Sequence, residues 1–254
     1  MEVEMVREAL NESAINATLH DSYWRVSVFE SVTSTQTELS TKENLKNGDV
    51  FVAEYQSAGR GRLDRTFDAE KSSALLFSLY FEPKRSKSEW SAIPLLTGLS
   101  LINGLTKLDE KLAAKLKWPN DLLVGEKKVA GILVEAKESG VIIGIGLNVE
   151  MSKDELPVEN ATSLAIEGFS EFDRNKILPA LLKSIAFTFG LWESGSSLPF
   201  EQYRQASSTL GKEVEVHLPS GQILKSLAVG ISEIGELQLA DGNRVNVGDV
   251  IHIR

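Results

Sequence analysis

Two apolar runs, Lys127 to Glu135 and Val141 to Val149, flank Ser139-Gly140 and alternate in side-chain character. Period-two alternation about a small-residue turn predicts an antiparallel strand pair, and the rest of the first 207 residues must pack around it. Further strands are predicted at Trp24 to Glu30, Asp49 to Tyr55 and Ala74 to Phe81, all rich in Val, Phe, Leu and Tyr. Leu112 to Trp118 and Asp121 to Val124 read as one strand interrupted by a turn at Pro119-Asn120. Val3, Val6, Leu10 and Ile15 suggest a short N-terminal helix. Ser91 is placed to cap a long helix with Pro94 in its first turn and Leu95, Leu96, Leu99, Ile102 and Leu105 on one face. Asp173 is placed to cap a second, with Ile177, Leu178, Leu181, Leu182, Ile185 and Phe189 aligned. Near residue 208 the pattern changes. Short apolar strands are then punctuated by Ser220-Gly221, Ile234-Gly235 and Asp241-Gly242, the spacing of a small β-barrel. The reading is an α+β domain over residues 1–207 and an all-β domain over residues 208–254.

The 254 residues contain no cysteine, which removes disulfides and thiolate metal sites and fits a reducing compartment. No apolar run has the length of a membrane span, and Met1 to Leu19 is too charged for a signal peptide. A cytoplasmic protein with no membrane partner is expected. The formal net charge of −9 argues against DNA as a partner, because nucleic-acid binding needs a basic face. Against that background a local cluster of cations stands out.

Such a cluster occupies Gln56-Ser-Ala-Gly-Arg-Gly-Arg-Leu-Asp-Arg65, between two predicted strands. Glycines let backbone N–H groups approach an anion, and arginines supply forked donors with a fixed charge. The spacing leaves a phosphate loop and a solvated turn equally open. Lys117-Trp-Pro-Asn-Asp121 presents Asn120 and Asp121 after a rigid turn, able to meet a base edge or ring N–H groups, though Pro-Asn-Asp is also ordinary turn chemistry. Lys128 stands at the mouth of an apolar strand with Gly131 beyond it, placed to neutralise a carboxylate or to be an exposed turn cation like Lys127. Ser34-Thr-Gln-Thr37 can hold a polar heterocycle or cap a helix starting near Thr37. Gly144-Ile-Gly146 lacks the third glycine and following helix of a dinucleotide fingerprint; it reads as a strand passing close beneath a ligand. His20, His217 and His252 have neither triad nor metal-ligand spacing, so no metal site is expected.

In their fixed order these stretches resemble the biotin protein ligases: Ser34-Thr-Gln, Gln56-x-Ala-Gly-Arg-Gly-Arg62, Lys117-Trp-Pro-Asn-Asp121, Lys128-Val-Ala-Gly-Ile-Leu-Val-Glu135, Ile145-Gly-Leu-Asn-Val149 and Ala161-Thr-Ser-Leu164. The resemblance runs from about Val26 to the C-terminus. It implies a mixed β-sheet with packed helices, like that of class II aminoacyl-tRNA synthetases, followed by an SH3-like β-barrel. It implies an enzyme that forms biotinyl-adenylate from biotin and ATP with Mg²⁺, then acylates a lysine of a biotin carboxyl carrier domain of a carboxylase. On that resemblance the biotin contacts fall on Ser34, Thr35, Gln36, Gln56, Arg60, Gly61, Arg62, Asp121, Lys128, Gly131, Gly144 and Gly146. The nucleotide contacts fall on Arg60, Arg62, Arg65, Phe67, Lys117, Asn120, Lys128 and Asn148. Lys128 and Arg62 are the expected catalytic residues.

Three positions depart from the family: Gln36 for its usual Asn, Asp64 for Gly and Phe67 for Trp. Gln36 alters the reach of a ring contact, Asp64 adds a carboxylate to the loop that can pair with Arg65, and Phe67 keeps a stacking face of smaller area. The nearest rival is a lipoate or octanoate ligase of the same superfamily; the arginine loop followed by Lys-Trp-Pro-Asn-Asp and Lys128 favours biotin. A biotin-sensing repressor is a rival of another class, and the short segment before the first strand and the acidic balance speak against it. A non-catalytic binding module would leave the cations without a role.

Overall fold

The structure, a computed structural model, describes residues 7–62 and 65–253. Val3 and Val6 of the expected first helix, and Asp64 of the arginine loop, lie outside the described residues. The first helix, α1 (Glu12–Thr18), starts where the Asn11 side chain accepts the N–H of Ala14, and it buries Ile15.

Seven strands form one mixed sheet: β1 (Arg25–Phe29), β2 (Asp49–Ala53), β3 (Ala74–Phe81), β4 (Ala114–Lys117), β5 (Asp121–Val124), β6 (Lys127–Ala136) and β7 (Val141–Asn148), in the order β1-β2-β3-β7-β6-β5-β4. Only β1 and β2 are parallel. The β6–β7 pair expected from the alternation is there, with Leu133 opposite Gly144 and Ala136 opposite Val141. Every residue of β3 is buried, because the strand is central and covered on both faces. One face carries α3 (Ile93–Thr106) and α4 (Arg174–Glu193); the other carries α2 (Thr35–Thr41), whose Leu39 packs on Tyr80 and Ile142. Asp173 caps α4 as predicted, accepting the N–H of Asn175.

Two local readings are corrected, and one helix is added. Ser91 does not cap α3; a 3₁₀ turn over Lys87–Ala92 precedes it, opened by a Ser86/Glu89 capping box that satisfies the first N–H groups a turn earlier. The Ser91 hydroxyl instead donates to Ile234 O. The segments flanking Pro119-Asn120 are not one interrupted strand but an antiparallel hairpin, with Lys117 opposite Asp121 and a cis Trp118–Pro119 bond at its tip. A further helix, α5 (Leu198–Ala206), packs on α3 and α4.

The C-terminal strands β8 (Glu213–His217), β9 (Ile223–Ile231), β10 (Leu237–Leu239), β11 (Arg244–Val245) and β12 (Asp249–His252) pair antiparallel in the order β11-β10-β9-β8-β12. Among the described residues β11 and β12 do not pair, so the small β unit is an open sheet rather than a closed barrel. It is fastened to the large sheet at the hairpin tip: Trp118 donates its indole N–H to Gly235 O at 3.0 Å and its backbone N–H to Thr209 Oγ1 at 3.0 Å. No described helix is long and apolar enough to cross a membrane.

Candidate active site

The floor of the site is the middle of the large sheet. Alternation brings Ser78, Gly144, Gly146 and Gly131 to one face of β3, β7 and β6, and the start of α2 rests on it. The Thr35 N–H and hydroxyl both donate to Gln56 Oε1, at 2.7 and 3.0 Å, and Ser78 Oγ lies 2.9 Å from Thr35 Oγ1. Ser34 occupies the N-cap position of α2 without a side-chain capping bond. Its role as a cap, one of the two readings open in the sequence, is therefore positional only. Gln36 reaches across Gly144: a Cβ there would stand 2.6 Å from Gln36 Oε1.

Residues 59–62 of the arginine stretch pair with residues 65–67 above this floor. Arg60 pairs with Thr66, the N–H of Gly61 donates to Arg65 O at 2.7 Å, and that of Phe67 donates to Gly59 O at 3.0 Å. Gly59 is required, since any Cβ would come within 2.1 Å of Phe67 O. The Phe67 ring lies on Gly146, whose missing side chain makes room for it. Arg60 forks onto Glu135 at 2.7 and 3.3 Å. Arg62 donates to Asn120 Oδ1 at 2.8 Å and Gly248 O at 3.0 Å and lies 3.6 Å from Asp249, while Arg65 meets Asp249 at 2.5 Å. Burial pulls the Arg62 pKa down, with Asp249 and Asp121 acting in the opposite direction; an arginine starts so high that it stays charged.

Lys128 enters the site because β6 carries a bulge. Leu122 faces Ala130 while Leu123 faces Lys128, so Val129 is the extra residue. One inserted residue reverses the side-chain alternation. Lys128 is thereby turned to the same face as Gly131, where a Cβ would meet the lysine Cε and Nζ at 3.0 Å. Its ammonium forms an ion pair with Asp121 at 2.6 Å. The strand's end is held by segment 160–162: Lys128 N–H donates to Asn160 O and Lys128 O accepts from Thr162 N–H, both at 2.8 Å. Lys117 stands in the adjoining cleft, its pKa lowered by burial against the pull of Asp121.

The structure thus gathers Ser34, Thr35, Gln36, Gln56, Arg60, Gly61, Arg62, Arg65, Phe67, Asn120, Asp121, Lys128, Gly131, Gly144 and Gly146 around one pocket. Asn148 is not in that lining; its side chain is buried and donates to Thr162 O at 2.8 Å, which tethers the segment behind Lys128. The space between floor and arginine segments is about 120 Å³, and a cleft of about 610 Å³ opens beside it against the C-terminal sheet. Thr66, Ser78 and Asp249 also line the pocket and escaped the sequence reading, as did Glu135, which holds Gln36 and Arg60 beside it. Asp249 opens β12 and looks there like any turn carboxylate. Glu135 was signalled only by its sharing a strand face with Gly131 and Leu133. Among the described residues no group of three or more His, Cys, Asp or Glu side chains is arranged to hold a metal ion.

A β-sheet floor with polar groups, a lysine turned over it by a bulge and arginines above leave a cation-lined space whose chemistry suits an anionic ligand. Residues 28–151 match the Biotin/lipoate A/B protein ligase family. The biotin--[acetyl-CoA-carboxylase] ligase of Mycobacterium tuberculosis is 35% identical over 214 residues, spanning 82% of this chain and 80% of that protein. The bifunctional ligase/repressor BirA of Escherichia coli is 28% identical over 202 residues, 77% of this chain but 62% of that relative. Among solved structures, the biotin protein ligase from Aquifex aeolicus in complex with biotin and ATP superposes with a TM-score of 0.79 at 30% identity, covering 90% of this chain and 98% of that one. The chain belongs to the biotin/lipoate A/B protein ligase family.

Proposed function

We propose that this chain is an ATP-dependent biotin protein ligase that joins the biotin carboxylate to the α-phosphate of ATP, releases pyrophosphate, and passes the biotinyl group to a lysine amine as AMP leaves. The acceptor is a carboxyl carrier domain of a biotin-dependent carboxylase, the reading favoured by the named relatives. The observation that carries the assignment is the bulge at Val129, which turns Lys128 onto the pocket face beside Asp121 and beneath Arg60 and Arg62.

The chemistry is a condensation of two anions. At 4 Å two unit charges repel by about 4 kcal/mol at an effective dielectric of 20, so cations must flank the reacting atoms. Lys128 is assigned to the carboxylate and the phosphate, and Arg60, Arg62 and Arg65 to the phosphate-bearing side. Asn120 and Phe67 are assigned to the adenosine; Lys117, in the adjoining cleft, is assigned to the same nucleotide. Asn148 acts through segment 160–162 rather than by touching the nucleotide. The ring contacts belong to Ser34, Thr35, Gln36, Gln56 and Asp121, over Gly131, Gly144 and Gly146.

Mg²⁺ enters with ATP as part of the substrate. The pocket's carboxylates are already committed, Asp121 to Lys128 and Asp249 to Arg62 and Arg65, as is Glu135 beside it, to Arg60 and Gln36. A metal therefore rides on phosphate oxygens and water. No enzyme nucleophile is required, since the amine attacks the mixed anhydride directly. Phe67 and the arginines that line the pocket with it cover the bound ring and keep water from the adenylate. We also assign residues 1–207 to the catalytic unit and 208–254 to the C-terminal unit, a boundary supported by the end of α5 at Ala206 and the start of β8 at Glu213.

Pyrophosphate release measured with biotin, lipoate and octanoate in turn tests the substrate. Turnover with biotin and transfer to a carrier-domain lysine are expected; turnover with lipoate or octanoate alone would overturn the assignment.

A further inference from the structure

Glu135, near the far end of β6, is shared by two groups from different parts of the site. Its Oε2 accepts from Gln36 Nε2 at 2.8 Å, and its two oxygens take the Arg60 guanidinium at 2.7 and 3.3 Å. Gln36 belongs to α2 on the pocket floor, Arg60 to the arginine segments paired above it. One carboxylate therefore ties floor to cover.

The tie also sets which way the Gln36 amide points. An ionised carboxylate accepts and does not donate, so the amide nitrogen must face Glu135. Ile142 O, a second acceptor at 3.3 Å from Nε2, selects the same orientation. Oε1 is then turned toward Gly144, buried and without a hydrogen-bond partner. Beside it, the Thr35 N–H and hydroxyl are taken by Gln56 Oε1, and the Thr35 and Ser78 hydroxyls by each other. A buried acceptor left open in a pocket wall is a place for a ligand's donor. An asparagine at this position would be one methylene shorter.

We propose that Glu135 is a positioning residue: it holds the amide of Gln36 so that Oε1 meets a ring N–H of a cyclic urea. The proposal rests on the biotin reading above and deepens it. A urea ring brings N–H donors to Oε1. A dithiolane ring or a plain acyl chain brings none, and a site built around a hydrogen bond discriminates strongly against ligands that cannot make it.

Biotin-dependent ATP–pyrophosphate exchange on the full chain, with Glu135→Ala and Glu135→Gln, tests this. Glu135→Ala is expected to raise the biotin KM about 10-fold or more while the ATP KM moves less than about two-fold. Glu135→Gln, whose amide oxygen still accepts from Gln36, recovers part of the loss and guards against a folding artefact. Adding Gln36→Ala to Glu135→Ala costs little more, because both remove one contact. An unchanged biotin KM in Glu135→Ala, equal rises in both KM values, or additive losses in the double variant would each overturn the positioning role while the biotin reading stands. A wild-type protein that exchanges with lipoate and not with biotin overturns the reading itself and this inference with it.

Discussion

Lys128 shows how one side chain's chemistry depends on a backbone irregularity. Its neighbour Lys127 is exposed, and the two differ because the bulge at Val129 aims Lys128 inward, where Asp121 orients it. Lys128→Ala leaves the ligand's anion buried without a counter-charge, a loss of about 3 kcal/mol or more. A fall of roughly 100-fold or more in kcat/KM for biotin-dependent pyrophosphate release is expected, and near-normal release would refute the role. Arg62 reaches Asn120 and Gly248 at once. Arg62→Ala should therefore speed loss of the bound adenylate, read directly as its dissociation rate, with an unchanged rate counting against the cover. Most of the pocket was legible in the sequence because chemistry clustered in short stretches: the arginines, Lys-Trp-Pro-Asn-Asp and the small residues of β7. Lys128 and Lys127 looked equivalent there, since a bulge leaves no composition signal. Asn148 resembled a nucleotide contact; its side chain lies outside the pocket lining and holds Thr162 O, and nothing in its sequence neighbours told that segment 160–162 lies against it.

Among elements, β3 and α4 were legible because each carries a long apolar pattern. The start of α3 was not, because Ser86-x-x-Glu89 and Ser91 are both plausible caps and only packing against the C-terminal sheet decides between them. The helix α5 has a short stripe, Phe200 and Tyr203, which gives little periodicity to read. The base of the arginine loop rests on a buried ion pair. Arg174 and Glu54, with side chains 1% and 4% exposed, meet at 2.7 Å, and Glu54 also accepts the Ser72 hydroxyl at 2.9 Å across the loop's two ends. Arg174 donates further to Glu8 O at 2.7 Å. Arg174→Met leaves Glu54 charged and buried without its partner, so a loss of about 3–5 kcal/mol is expected. Urea unfolding measures it; a loss under about 1 kcal/mol would mean that the pair is solvated. Asp49 offers a second test at this scale. Burial would raise its pKa, but hydrogen bonds from Lys42, the Lys46 backbone and Arg25 outweigh it and hold the carboxyl low. A depressed folded-state value means stability present above the ordinary carboxylate range and lost as pH falls through it. Asp49→Asn is therefore expected to be less stable near neutrality and to lose less on acidification, seen as a flatter dependence of Tm on pH below about 4.

At the scale of the whole molecule, the two sheets meet at the active site, so the C-terminal unit is part of the site's architecture. The glycine spacing indicated small strands closed into a barrel, and the closure is what the structure corrects: a two-residue β11 and a short β12 end the order without pairing. One seam runs from Trp118 through Thr209 to His252, whose Nε2 lies 3.2 Å from Thr209 Oγ1. Burial, with the charges of Lys212 and Lys117, lowers the His252 pKa from 6.5 to about 4. The neutral ring is favoured in the folded chain, so stability is complete above about pH 6.5 and falls as acidification charges the unfolded state first. His252→Gln should flatten Tm between about pH 6.5 and 4. The other seam is Asp249, which pins Arg62 and Arg65 from the C-terminal side. The Arg65 end is 69% exposed and weak, whereas the Arg62 end is mostly buried and adds more. Together they are worth about 1 kcal/mol, which corresponds to roughly five-fold in a rate. Asp249→Ala should thus release the adenylate several-fold faster while the pocket floor, and with it the affinity for biotin alone, stays intact. Combining it with Arg62→Ala should add little, because both cut the same tie between cover and C-terminal sheet. Adenylate retention equal to wild type in Asp249→Ala would show that the cover closes without the C-terminal unit.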